Sequence, residues 1–285
     1  MSGSVLERLR TRREAVGAPL CIGVDPHPDA LPDGLPRDVN GIETFARELI
    51  QATAAEAAAI KINVAFFEAF GAEGWAALER VRRDVPPDVV CILDAKRGDI
   101  GSTAERYAAG LFGTLQADAV TLSPYLGEDA IEPFLSVPDR LVYVLARTSN
   151  PSAGRLQGLV ADGQPLHLHV ARWAADRWSD GRVGLVVGAT MPEELRRIRE
   201  AAPGPGFLVP GVGAQGGDLE AAVRYADGEW APGIVSVSRA IAGASRPTDW
   251  QAAAASAARE LRGRMADAVL HSLASPAHSV NNGGS

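Results

Sequence analysis

The chain has 285 residues, 46% of them hydrophobic and 22% charged, ordinary globular values at a length that suits one large domain or two small ones. Its 28 Lys and Arg against 35 Asp and Glu leave a net charge of −7, which argues against broad binding to nucleic acid or acidic membranes, so any anionic ligand must be met by a local basic pocket. The first twenty residues spread charge throughout and no apolar run reaches eighteen residues, so a soluble, cytoplasmic protein is expected.

Along the chain, eight short runs rich in β-branched residues alternate with Ala/Glu/Arg-rich helical segments. In order they are LCIGVD (20–25), AIKINV (59–64), VVCILD (89–94), DAVTLS (118–123), LVYVLA (141–146), VGLVVG (183–188), GFLVPGV (206–212) and GIVSVS (233–238). Helical segments such as GIETFARELIQATAAEAA and MPEELRRIREAA follow the strands. The runs are continuously apolar instead of alternating, as parallel strands covered by helices must be.

Eight βα units in this length predict a single-domain (β/α)8 TIM barrel over residues 1–268, with an open doubly wound sheet as the alternative. Residues 149–163 are long and rich in Gly, Ser and Pro for a βα loop, which suggests a lid. Residues 269–285 have little to bury and are expected to form a disordered tail.

In a barrel every strand's C-terminal end opens into one shared pocket, so those ends should form a coherent chemical set. They read Asp25, Lys61, Asp94 with Lys96, Ser123 with Tyr125, Thr148 with Ser149, Thr190, the turn PGVGAQGG, and Ser238 with Arg239. No His or Cys cluster is present, so a structural zinc is not expected. Cys21 and Cys91 lie inside apolar runs and read as small core residues.

The stretch LDAKRGDI (93–100) places Asp94, Lys96 and Asp99 at the end of an apolar strand. On a strand, residues i and i+2 share a face, so Asp94 and Lys96 point into one pocket. A neighbouring carboxylate favours the ammonium form, which makes Lys96 a proton donor and a poor amine nucleophile. That disfavours a class I aldolase, which needs a free amine. An ammonium between the two aspartates equally disfavours a Mg²⁺ site.

Lys61 poses the same question in KINVAFFEAF. It either sits at a surface edge or joins the Asp94 and Lys96 pair in an alternating network. Asp99, past Gly98, either shares the site or caps the next helix with Ser102 and Thr103 nearby.

At the other side of the expected mouth, VPGVGAQGGD (209–218) puts glycines between a strand and a helix, where backbone amides and the helix dipole suit a phosphate. The next strand ends in Ser238 and Arg239. In barrels the loops after strands seven and eight recurrently bind phosphate, so a phosphorylated small substrate is the simplest reading.

DAKRGDI resembles the Asp-x-Lys-x-x-Asp signature of orotidine 5′-phosphate decarboxylases. CIGVDPHP, KINVAFFEAFG, RTSNPSAG, PGVGAQGGD and SVSRAI extend the resemblance over roughly residues 15–262, in the order of the longer bacterial branch.

The resemblance implies conversion of orotidine 5′-phosphate to uridine 5′-phosphate (UMP) and CO₂, in UMP synthesis, without a cofactor or metal. It implies that Lys96 protonates C6, that Asp94 lies against the substrate carboxylate, and that Lys61 extends the network to the ribose. Asp25 would bind ribose, Ser149 the pyrimidine, and Gln215 with Arg239 the phosphate, with Pro210 also among the substrate-binding residues. Asp99 and Thr103 would reach the partner's site in a homodimer. Ser238 stands where many relatives have Gly. The rival readings are a Mg²⁺-dependent sugar-phosphate decarboxylase of the same superfamily and a non-catalytic phosphate-ligand-binding dimer.

Overall fold

Eight strands run parallel and close on themselves in the computed structural model, which describes residues 3–213, 216–247 and 249–274. They are β1 (Leu20–Val24), β2 (Ala59–Asn63), β3 (Val90–Arg97), β4 (Ala119–Leu122), β5 (Leu141–Arg147), β6 (Val183–Val187), β7 (Phe207–Pro210) and β8 (Ile234–Val237). Each pairs with its sequence neighbours, and β1 pairs with β8 to complete the barrel.

The continuous hydrophobicity of the strands now divides by parity. Outward residues such as Ile22, Ile60, Leu93, Val120, Val144, Leu185 and Val209 pack with the surrounding helices. Inward residues Cys21, Ala59, Val90, Ile92, Ala119, Tyr143, Val186, Leu208 and Ile234 fill the barrel. Both sets are dry because helices cover one face and the closed sheet covers the other, as a parallel barrel requires.

Helices of eight or more residues are α1 (Val5–Val16), α2 (Val39–Thr53), α3 (Gly71–Arg83), α4 (Gly101–Ala108), α5 (Leu166–Arg177), α6 (Pro192–Ala201), α7 (Leu219–Ala226) and α8 (Trp250–Ala274). α2 shows the local logic: Asp38 accepts from the Asn40 and Gly41 amides at its start, and Ile42, Phe45, Ala46, Leu49 and Ile50 form the buried stripe. Each large side chain so buried contributes about 1.5–3 kcal/mol.

α1 precedes the first strand and plugs the barrel floor: Val5 and Leu9 join the inward cluster, and Arg8 pairs with buried Asp118 at 2.5 Å.

Three expectations change in detail. Residues 149–163 are not a plain loop. They form a 3-10 turn (Pro151–Ala153), a short helix (Gly154–Gln157) and, with the residues just beyond, a small antiparallel hairpin of Val160–Ala161 with Gln164–Pro165.

Residues 269–274, expected in the tail, are the last turns of α8, whose Val269 still packs on the core. Residues 275–285 lie outside the described residues. Finally, β3 runs on to Arg97, three residues past Asp94, with a shift of register against β4. No helix among the described residues is long and apolar enough to cross a membrane.

Candidate active site

The inward parity that fills the barrel floor with apolar side chains continues upward and turns polar. Above Cys21 come Gly23 and Asp25; above Ala59 come Lys61 and Asn63; above Ile92 comes Asp94; above Ala119 comes Thr121; above Ile234 come Ser236 and Ser238. The register sets Gly23 beside Lys61 and Asn63 beside Asp94. Charges distant in sequence therefore meet at one level of the barrel.

Asp94 is the hub. Its Oδ2 accepts from Lys61 Nζ at 2.9 Å, and its Oδ1 accepts from Lys96 Nζ at 2.6 Å and from Thr121 Oγ1 at 2.8 Å. Lys61 Nζ also lies 3.8 Å from Asp25 Oδ1, an oxygen that is buried and accepts no hydrogen bond among the described residues.

Lys61 is only 5% exposed, so the surface-edge alternative is set aside. The order Asp25, Lys61, Asp94, Lys96 alternates in sign, and each buried charge is compensated by a neighbour.

Lys96 reaches Asp94 by a route that simple strand geometry does not give. Its φ is 46°, in the left-handed region that side chains other than glycine seldom occupy. Its backbone N–H donates to Thr121 Oγ1 at 3.0 Å. The register against β4 shifts between Leu93 and Arg97. This bulge re-aims the lysine toward the mouth, as bulges near sites commonly do.

The electrostatics follow from burial and pairing. Burial disfavours a charged Asp94, but Lys61 and Lys96 outweigh it and hold its carboxyl well below the usual carboxylate range. Burial also works against charge on Lys61, and Asp94 and Asp25 outweigh it to raise its ammonium above the ordinary lysine value. An amine so held is a poor Schiff-base nucleophile, and a carboxylate engaged by ammonium groups on both oxygens is a poor metal ligand. Burial pushes both Cys21 and Cys91 up to about 12, so both thiols are inert core groups.

The network opens into a cavity of about 170 Å³ lined by Asp25, Lys61, Asp94, Pro210, Ser238 and Arg239, among others. Arg239 makes no ion pair among the described residues and is exposed beside the cavity.

Gly211 and Gly213, with φ of 101° and 81°, shape the turn after β7. The helix dipole expected there is already engaged, because Asp218 caps α7 by accepting from the Ala221 amide at 3.0 Å. Arg239 is the cation that the described residues place on this side of the cavity. Gln215 lies outside the described residues.

Residues 18–255 match the model of the family described as Orotidine 5′-phosphate decarboxylase / HUMPS family. The chain belongs to this family.

Among its relatives, an orotidine 5′-phosphate decarboxylase of Roseiflexus castenholzii is 57% identical over 248 residues, 85% of this chain and 90% of that one. One from Herpetosiphon aurantiacus is 45% identical over 251 residues, 87% of this chain and 93% of that one. Among solved structures, a putative orotidine-monophosphate decarboxylase of Toxoplasma gondii superimposes with a TM-score of 0.81 at 38% identity, covering 92% of this chain and 98% of that one. The UMP synthase of Leishmania donovani gives a TM-score of 0.82 at 41% identity, covering 94% of this chain but 57% of that one.

Several residues that the decarboxylase resemblance singles out lie outside this cluster within one subunit. Asp99 Oδ1 accepts from the next backbone amide, Ile100 N, at 2.9 Å. It pairs with no cation among the described residues, and the N-cap position of α4 falls on Ile100 instead. Thr103 is exposed in the first turn of α4. Ser149 sits past β5, packed toward Gly188, where an added Cβ would come within 3.0 Å of its own Cβ.

Ser238 faces Gly23 so closely that a Cβ on Gly23 would lie 1.9 Å from its hydroxyl. Ser238 is thus accommodated by a glycine on the adjacent strand β1. Sequence reading missed Thr121, Asn63 and Ser236. The available signal was a polar residue at inward parity within a buried strand.

Proposed function

We propose that the chain decarboxylates orotidine 5′-phosphate to UMP and CO₂ without a cofactor, with Lys96 as the proton donor. The observation that carries this reading is the chain Asp25, Lys61, Asp94, Lys96 at the mouth of the barrel, in which one carboxylate holds two ammonium groups beside a cavity flanked by Arg239. The relatives named as orotidine 5′-phosphate decarboxylases favour this activity over the sugar-phosphate alternative.

In this reading Arg239, with Gln215, takes the phosphate, Asp25 and Lys61 the ribose, and Ser149 the pyrimidine, while Pro210 lines the same cavity. Asp94 lies against the substrate carboxylate. The C6–carboxylate bond breaks, CO₂ leaves, and the electron pair stays on C6, where it takes a proton from Lys96 Nζ. Lys96 is then reprotonated from solvent. A preformed ammonium beside developing negative charge needs no reorganisation in the transition state, and each 1.4 kcal/mol of such preference is worth about tenfold in rate.

We further propose a homodimer, with Asp99 and Thr103 directed to the partner's site. Support comes from the exposed Ile100, Tyr107, Tyr125 and Leu126 on α4 and the adjoining loop after β4, an apolar surface of the kind that subunits cover. A cytoplasmic location accords with this biosynthetic role.

The test follows the absorbance of orotidine 5′-phosphate with EDTA present. Wild type should consume it, and Lys96→Ala should not, while still binding UMP. Full activity of Lys96→Ala overturns the assignment. Activity lost to EDTA favours the metal-dependent rival, and trapping by borohydride favours the aldolase.

A further inference from the structure

The segment between β5 and α5 is held by polar contacts that the charge network does not use. Gln157, the last residue of the short helix Gly154–Gln157, turns its amide back toward β5. Its Oε1 accepts from the Thr148 backbone N–H at 2.9 Å and from Arg147 Nη1 at 3.3 Å, and its Nε2 donates to Thr148 Oγ1 at 2.8 Å. Thr148 Oγ1 donates onward to Asn150 Oδ1 at 2.6 Å. One amide thus braces the residues on both sides of Ser149, whose own Cβ is packed toward Gly188 at the end of β6.

The Gln157 main chain is anchored in turn. Its carbonyl lies 2.9 Å from His167 Nδ1 on α5. A carbonyl can only accept, which assigns a proton to that nitrogen. The other side of the ring, Nε2, lies 2.5 Å from Glu194 Oε2 on α6.

His167 is only 2% exposed. Glu194 reaches it from the first turn of α6, where the helix dipole favours an acidic residue, and Arg197 lies 3.5 Å from its second oxygen. Despite this approach, His167 Nε2 and Glu194 Oε2 are both buried without a hydrogen-bond partner among the described residues, which costs stability instead of adding it. Stability alone is therefore a weak reason to place His and Glu between two helices.

We propose that His167 is a positioning residue that acts through Gln157 to fix Thr148–Asn150, and with them the Ser149 hydroxyl at the pyrimidine end of the site. This rests on the decarboxylase reading above. The small hairpin that follows is docked to the same helix, with Ala161 O 2.7 Å from His169 Nε2. The segment 151–165 and the end of β5 therefore share one support on α5.

The test compares two ligands by calorimetry. UMP carries the base, whereas ribose 5-phosphate occupies only the ribose and phosphate ends. Gln157→Ala, on a half-buried position of the strap, and His167→Leu should each weaken UMP about tenfold, the scale of one lost hydrogen bond, and should leave ribose 5-phosphate affinity unchanged. A merely structural role would weaken both ligands together. Equal loss for both, or loss for neither, overturns the proposal, and Gln157→Ala decides alone if His167→Leu does not fold. Wild type that binds UMP and consumes orotidine 5′-phosphate, paired with variants of unaltered ligand ratio, removes the positioning role and leaves the decarboxylase reading standing. Wild type that does neither removes both.

Discussion

Asp94 accepts from three donors, and two of them are ammonium groups. Its lowered pKa means that its contribution to folding is complete above the ordinary aspartate value of about 4 and is lost as pH falls through the lowered folded value. Lys61 has the opposite sign: raised in the fold, its contribution is complete below about pH 10.4 and is lost as pH rises through the raised value. Between those limits Asp94 and Lys61 keep their charges. We predict that turnover shows no ionisation from either group between about pH 5 and 9.

Asp94→Asn should unbalance buried Lys61 and cost about 3–5 kcal/mol in urea denaturation; a loss below about 1 kcal/mol would mean that the pairing is as weak as a surface one. A second residue-scale prediction concerns Gly23. Gly23→Ala should displace Ser238 at about 1–3 kcal/mol of overpacking and raise KM. Gly23→Ala combined with Ser238→Gly should recover it, and failure to recover would show that the two sites act independently.

At the scale of elements, the strands were legible because a run buried on both faces leaves an unmistakable composition: all eight expected runs became barrel strands. What composition did not convey was local departure from regularity. The Lys96 bulge depends on Thr121 of the neighbouring strand. The strap over 151–165 depends on α5 and on β5. Thr121 is 25 residues from Lys96, and the strap's side-chain partners lie 8 to 10 residues away, outside any helix or strand period, so propensity could only report a Gly- and Pro-rich interval.

The α1 plug is the third case. Leu9 lies against the barrel floor, 1% exposed, far below the charged mouth. We predict that Leu9→Ala costs about 2–5 kcal/mol by leaving a cavity, with kcat and KM of the folded fraction unaltered. A changed kcat would show that the floor and the mouth are coupled.

At the scale of the whole molecule, the single subunit assembles the Asp25, Lys61, Asp94 and Lys96 chain but leaves Asp99 and Thr103 outside it. If the chain forms the proposed homodimer with shared sites, mixing inactive Lys96→Ala with inactive Asp99→Ala should regain about a quarter of the activity at random exchange, since half the dimers are hybrids with one intact site of two. No recovery after verified subunit exchange would place Asp99 in its own subunit's site.

By itself, the sequence determined the barrel, through eight doubly buried strands, and the identity of the charged residues at their ends, through parity and the Asp-x-Lys-x-x-Asp spacing. These are local properties: a period of two and an apolar run are written in neighbouring residues. Only the tertiary structure decided which charges meet. Lys61 and Asp94 touch because parallel register places Asn63 beside Asp94. Thr121 joins them because β4 is the next strand, and one first-turn amide of α7, that of Ala221, is taken by Asp218. Register and side-chain reach are set by closure of the whole sheet, and no window of the sequence contains that closure.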